Sequence, residues 1–180
     1  MRLFTAIDLP PTILETLDHF LARLRPLAKL RWTAVENLHI TTKFIGEWPE
    51  APIEDMKTAL RAVIQTGPID IAVRGVGWFP NPRRPQVFWA GVQAGEPLAA
   101  LARATEEAVS RLGVPEETRA YSPHLTLARV KDAVKVDAIV SSIISAAGNP
   151  DFGRFRPSSF FLYLSANGKY SKLEEFPLHS

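Results

Sequence analysis

The sequence predicts an α+β fold of two similar lobes, each an antiparallel sheet backed by helices, with a cleft between them. Three observations predict it. Amphipathic helical stretches alternate with short strands and hairpins along the 180 residues. No gap has the composition of a flexible linker, so residues 1–180 are expected to form one domain of two intertwined lobes. One strand motif also occurs twice: Asn37-Leu38-His39-Ile40-Thr41-Thr42-Lys43-Phe44 and Ser122-Pro123-His124-Leu125-Thr126-Leu127-Ala128-Arg129.

The elements follow in order. Leu3 to Leu9 reads as a strand stopped by Pro10-Pro11. Thr12 to Arg25 is an amphipathic helix, with Ile13, Leu14, Leu17, Phe20, Leu21 and Leu24 on one stripe, and Pro26 ends it. Leu30 to Thr33 is a short edge strand, and the first His motif is a strand closed by Gly46. Pro49 to Thr66 is read as a second helix stopped by Gly67-Pro68. Ile69 to Val73 alternates as a strand, which Gly75 to Phe79 continues or bulges. Asn81 to Pro85 is a turn exposing Arg83 and Arg84. Val87 to Val92 is expected to be a strand buried on both faces. Glu96 to Leu112 is a third helix capped by Gly113. After a loop and the second His motif, Val136 to Ala147 is a fourth helix. Phe152 to Leu164 reads as one long strand, turned at Ser165-Ala166-Asn167-Gly168 into a return strand from Tyr170 to Leu178.

Composition narrows the chemistry. The chain has no Cys, which excludes disulfides, thiolate metal sites and Cys nucleophiles, and fits a cytoplasmic location. Asp8 interrupts the N-terminal apolar run where a signal peptide would stay apolar, and no stretch has transmembrane length, so no membrane partner is expected. A net charge of +2 gives no global basic field, so a nucleic acid would be met by a local patch. A monomer is expected.

On a strand, residues two apart share a face. His39 therefore projects with Thr41, and His124 with Thr126, while Ile40, Thr42, Leu125 and Leu127 point the other way. Two imidazoles across a groove can act as general acid and general base, because an ordinary pKa near 6.5 lets one be protonated and the other neutral at about pH 7. Two Thr hydroxyls and a cation would cradle a phosphate. Strict alternation gives Lys43 the parity of His39 and puts Arg129 opposite His124. No metal and no cofactor are expected: no acid lies within four residues of His124, and the nearest downstream is Asp132. No Gly-x-Ser-x-Gly elbow exists, and Gly75-Val76-Gly77 lacks a third glycine and a following helix, which rejects a dinucleotide fingerprint. His19 sits on the polar side of the first helix, a solvated position.

The two His-x-Thr motifs resemble the signature of the two-histidine (2H) phosphoesterases, and most closely their RNA 2′,3′-cyclic phosphodiesterase branch, the 2′-5′ RNA ligase or LigT-like family. The likeness covers nearly the whole chain, from Arg2–Pro10 through Glu36–Glu47 and Pro123–Arg129 to the closing hairpin at Leu162–Ser165 and Phe176–Leu178. Thr42 departs from it, where the family usually has Leu. The resemblance implies metal-independent hydrolysis of RNA or nucleotide 2′,3′-cyclic phosphate to a 2′-phosphate. It implies that His39 and His124 are catalytic, by analogy as acid and base, though the residues alone leave the roles interchangeable. It implies that Thr41 and Thr126 hold phosphoryl oxygens, and it gives Arg129, with Lys43 as a further candidate, to the phosphate. Alternatives on the same fold are a non-catalytic RNA-end or nucleotide-binding module, 2′-5′ ligation by the reverse reaction, and a small nucleotide such as a cyclic phosphate of ADP-ribose.

Overall fold

A computed structural model describes residues 1–49, 52–65, 67–131 and 136–179, without the side chains of 136 and 137. The elements are β1 (Arg2–Asp8), α1 (Pro11–Leu24), β2 (Arg31–Trp32), β3 (His39–Glu47), α2 (Ile53–Arg61), β4 (Ile71–Phe79), β5 (Val87–Gln93), α3 (Gly95–Ser110), β6 (His124–Arg129), α4 (Val136–Ala147), β7 (Asp151–Phe155), β8 (Ser159–Ala166) and β9 (Lys169–Pro177). They form two antiparallel sheets, ordered β3-β1-β8-β9 and β2-β6-β5-β4-β7. The chain is thus the expected two-lobed α+β protein. Its first sheet joins both ends of the sequence, and its second takes the middle.

Apolar periodicity decides which sheet each helix covers. Helix α1 opens with Pro11 at its first position, where the missing N–H costs nothing. It buries Ile13, Leu17, Phe20, Leu21 and Leu24 against β7 and α4, each side chain contributing roughly 1.5–3 kcal/mol. Helices α2 and α3 pack together and cover β9 and β3. One continuous core joins both lobes, from Leu3, Ile7 and Ile40 of the first sheet to Phe88, Ala90 and Leu125 of the second. Among the described residues the other face of each sheet is left without helices. The two sheets meet where β3 runs against β6, which sets the two His motifs side by side at the junction.

Three readings of the sequence are corrected. The second helix spans only Ile53–Arg61 of the expected 49–66, because Pro52 has no N–H for a helix interior and stands at its N-cap; residues 50, 51 and 66 lie outside the described residues. Strand β5 buries Phe88, Ala90 and Val92, but Val87, Trp89 and Gly91 are only half-buried, because they face the helix-free side. The long strand expected from Phe152 to Leu164 is two strands in different sheets. Arg156-Pro157-Ser158 carries the chain across, with Pro157 unable to donate to a ladder and Arg156 anchored on Asp70 (2.9 Å). The closing hairpin turns as expected, with Asn167 and Gly168 both at positive φ (53° and 74°), the two-residue geometry that matches strand twist.

Strands β1 and β3 share a buried polar contact. Thr5 and Thr42 are 0% and 4% exposed, and their hydroxyls hydrogen-bond at 2.7 Å. Thr42→Val should cost about 1–3 kcal/mol by stranding the Thr5 hydroxyl, whereas the double change to Val at both positions should cost less than either single one. Denaturant unfolding of the three variants measures this.

Candidate active site

Each histidine begins its strand, and a backbone carbonyl two residues earlier fixes each ring. His39 Nδ1 lies 2.7 Å from the Asn37 carbonyl, and His124 Nδ1 lies 2.8 Å from the Ser122 carbonyl. A carbonyl only accepts, so Nδ1 carries the hydrogen in both rings, and Nε2 is the nitrogen left for chemistry. The Thr41 hydroxyl meets His39 Nε2 at 3.0 Å. It donates to the neutral ring and accepts from the charged one. Both Thr41 and Thr126 are half-buried on the faces of their histidines, as alternation requires.

A β-bulge follows each Thr, and alternation alone does not predict it. On β3 the register runs Ala6↔Thr41 and then Thr5↔Lys43, so Thr42 is the extra residue. On β6 it runs Trp89↔Thr126 and then Phe88↔Ala128, so Leu127 is extra. A bulge shifts the parity of everything beyond it. Arg129 therefore returns to the His124 face, and it is exposed there. Arg31 stands directly opposite it on β2. Among the described residues neither arginine has an acidic partner. Like charges directly across a ladder cost free energy, so an anion lying over both would be stabilising.

The bulge on β3 does the reverse to Lys43. It turns the side chain to the helix-covered face, where only 6% is exposed. Lys43 Nζ donates to Glu106 Oε1 of α3 at 2.8 Å and to the Pro115 carbonyl at 3.1 Å. Lys43 is not on the phosphate side, and the expectation that it adds charge there is wrong for this reason. It ties α3 and the loop before the second motif to the first motif. The Glu117 N–H donates to the same Glu106 oxygen (2.8 Å), and the Tyr121 hydroxyl donates to the Thr41 carbonyl (2.9 Å). The two His motifs are thereby braced together.

The rings around the histidines differ. His39 packs against Phe4 (4.8 Å between centroids), Tyr170 (5.3 Å) and Tyr163 (6.4 Å). Burial there holds its pKa below the usual 6.5. The Asn37 carbonyl and Asp8 pull the other way, and the charge on His124 adds to the lowering. Asp8 stands opposite His39 across the ladder, accepts from the Tyr163 hydroxyl and pairs with Lys172 (2.6 Å). These groups line a cavity of about 380 Å³ beside His39, with Glu36 and Asn37 on its rim. His124 has Phe79 edge-on at 5.1 Å, and Phe79 in turn contacts Trp89 at 5.2 Å. Trp89 lies over Gly77, where a Cβ would come within 2.2 Å of the indole. A larger groove of about 570 Å³ between α2 and α3 holds no histidine and lies away from this site.

Sequence spacing pairs His39 with Thr41 and His124 with Thr126, and the structure brings the two pairs to one junction. Sequence spacing does not identify Asp8, Phe79, Trp89 or Tyr121. Asp8 had one visible signal, an acid closing an otherwise apolar strand. His19 and His179 lie elsewhere, on α1 and after β9. Among the described residues no three His, Asp or Glu side chains cluster as metal ligands, and Asp132 lies outside the described residues.

A family model for the 2′-5′ RNA ligase superfamily matches residues 10–169. A protein named RNA 2′,3′-cyclic phosphodiesterase from Methanocaldococcus jannaschii is 34% identical over 98% of this chain and 100% of its own length. One of the same name from Methanothermobacter thermautotrophicus is 32% identical over 99% of both. The crystal structure of TT0787 of Thermus thermophilus superposes with a TM-score of 0.80 at 29% identity, covering 99% of this chain and 98% of the other. That of E. coli LigT complexed with 3′-AMP superposes with a TM-score of 0.77 at 28% identity and the same coverage.

The Lys43 geometry generates a prediction. Lys43→Met should cost on the order of 2 kcal/mol of stability, less than a fully buried pair because a quarter of the Glu106 side chain sees solvent. It should not produce the rise in KM expected on losing a phosphate ligand. Unfolding curves and Michaelis kinetics on the same preparation separate the two effects.

Proposed function

The chain belongs to the 2′-5′ RNA ligase superfamily, and on that premise we propose that His39 and His124 are the acid–base pair of a 2′,3′-cyclic phosphate hydrolysis. The protein is an enzyme, an RNA 2′,3′-cyclic phosphodiesterase like its relatives. The observation that carries the proposed site is the shared tether. Each imidazole spends Nδ1 on the carbonyl two residues before it and offers Nε2 at the junction of the lobes.

The cyclic phosphate sits between the two Nε2 atoms. His124 Nε2 takes a proton from water, and the water oxygen attacks phosphorus. The P–O3′ bond breaks on the opposite side, and His39 Nε2–H gives its proton to O3′. The product carries a 2′-phosphate and a free 3′-hydroxyl, with His124 protonated and His39 neutral. The assignment of acid and base follows the family. Thr41 and Thr126 donate hydroxyl hydrogens to the equatorial oxygens, and Arg129, helped by Arg31, answers their negative charge. The donor set argues that no metal takes part: both Nδ1 atoms are engaged, the Asp8 carboxylate opposite His39 is taken by Tyr163 and Lys172, and among the described residues no three His, Asp or Glu side chains converge. 2′-5′ ligation would use the same two histidines with an RNA 5′-hydroxyl in place of water: His124 Nε2 takes its proton, its oxygen attacks phosphorus, and the P–O3′ bond breaks as His39 protonates O3′. The RNA end or cyclic nucleotide is the partner, and a cytoplasmic monomer is the state we expect; no helix among the described residues is long and apolar enough to cross a membrane.

His39→Ala and His124→Ala should each lose about 10²–10⁴-fold in turnover while staying folded. Turnover in excess chelator should be unchanged; loss on chelation with restoration by one metal ion would remove the proposed mechanism. The residual activity of His124→Ala should fall as pH rises through the His39 pKa, at a value below 6.5, because an acid must hold its proton. A residual rate that rises through the same pH would make His39 the base.

A further inference from the structure

Four arginines stand at one end of the second sheet. Arg31 of β2 faces Arg129 of β6 across the ladder, and Arg129 is paired in turn with Val87 of β5. Val87 is paired with Phe79 of β4, so the turn that joins β4 to β5 projects from the same end. That turn carries Arg83 and Arg84, both exposed. Among the described residues none of the four has an acidic partner. Their charge exceeds the +2 of the whole chain, so the rest of the chain is net negative. A polyanion is therefore drawn to this end of the molecule. The turn is built to hold its two cations in place. Asn81 Oδ1 accepts the backbone N–H groups of Arg83 (2.9 Å) and Arg84 (3.1 Å), closing an Asx-type turn. Pro82 and Pro85 restrict the backbone on either side, and Pro85 is buried. At the base of the turn the Gln86 N–H donates to the Phe79 carbonyl (2.7 Å), and the Val130 N–H donates to the Gln86 carbonyl (2.9 Å), which ties the turn to the end of β6. The turn starts at the residue after Phe79, whose ring lies edge-on to His124 at 5.1 Å. Its cations therefore continue the His124 side of the site.

Residues 80–86 contain no aromatic side chain, so the turn offers charge and not stacking. Guanidinium groups meet phosphate oxygens through paired N–H donors, and such contacts carry no base identity. Resting on the cyclic-phosphodiesterase reading above, we propose that Arg83 and Arg84 hold the sugar–phosphate backbone of the RNA strand that bears the cyclic end. The cyclic phosphate stays with the histidines, and the two arginines of the turn take phosphates farther along the same strand. The surface favours RNA ends over mononucleotides, for any sequence and in a salt-dependent way. The fixed turn lowers the ordering cost of each contact.

The test titrates the whole chain with an RNA of about eight nucleotides ending in a 2′-phosphate, and with the matching mononucleotide, over a range of salt. The slope of log affinity against log salt should be steeper for the RNA. Changing Arg83→Gln and Arg84→Gln together should flatten the RNA slope by about 1.4, about 0.7 for each lost contact on a single strand, and weaken RNA binding at about 0.1 M salt on the order of ten-fold. Binding of the mononucleotide should not change in that variant. Arg83→Lys with Arg84→Lys should keep most of the slope, because the charge remains. An unchanged RNA slope in the Gln variant, an equal loss for the mononucleotide, or an equal loss in the Lys variant overturns the proposal. So does tighter binding of polyglutamate than of RNA at this surface, which would assign it to an acidic protein. Hydrolysis of a 2′,3′-cyclic mononucleotide by the native protein tests the underlying activity separately from these slopes.

Discussion

Each imidazole is held by one hydrogen bond, from Nδ1 to the carbonyl two residues before it, and the rest of the site depends on that bond. It fixes the tautomer, so Nε2 is the nitrogen left for chemistry at both positions. It also fixes the ring against the start of the strand, where the backbone leaves an irregular approach and enters a ladder. The strand then sets the Thr two residues on to the same side. A short sequence thus yields an oriented imidazole and hydroxyl with no long-range partner. Two copies give two such units, and the fold's task is to bring them together.

The fold does so by exchanging strands between lobes. The first sheet joins both ends of the chain and the second gathers its middle, and one core runs through both. The clasp of Lys43, Glu106 and the Pro115 carbonyl, with Tyr121 on the Thr41 carbonyl, then links the loop before His124 to the strand that bears His39. A buried charge holding the loop before His124 is costly to break, and that cost keeps two separately encoded motifs in a fixed relation. The bulges after Thr41 and Thr126 divide labour between the lobes: one returns an arginine to the open face and the other turns a lysine to the covered one.

Much of this was legible in the sequence, because the readable features are local. The His-x-Thr repeats, the Pro and Gly stops and the apolar stripe of α1 depend on neighbours a few residues away. The failures share a cause. Strict alternation puts Lys43 on the His39 face and Arg129 opposite His124, against the phosphate role that the resemblance gives Arg129, and a one-residue bulge reverses both parities. Bulges arise from ladder register, which a single strand does not encode. The break between β7 and β8 is hidden because both pieces are rich in aromatic residues, and only Pro157 marks it. Asp8 and Phe79 meet their histidines through the ladder and through ring packing between strands, contacts that sequence spacing does not reveal.

The central claim is that the two imidazoles make separate proton transfers on opposite sides of one phosphorus. A 2′,3′-cyclic substrate with sulfur in place of the 3′ bridging oxygen addresses it directly, because a thiolate leaves with little need of a proton. Rates for His39→Ala and His124→Ala should be compared on the sulfur and oxygen substrates. If His39 is the acid, its Ala variant recovers most of its lost rate on the sulfur substrate and His124→Ala does not. Recovery by His124→Ala alone would exchange the roles and leave the division of labour intact. Equal recovery by both variants, or by neither, would contradict it.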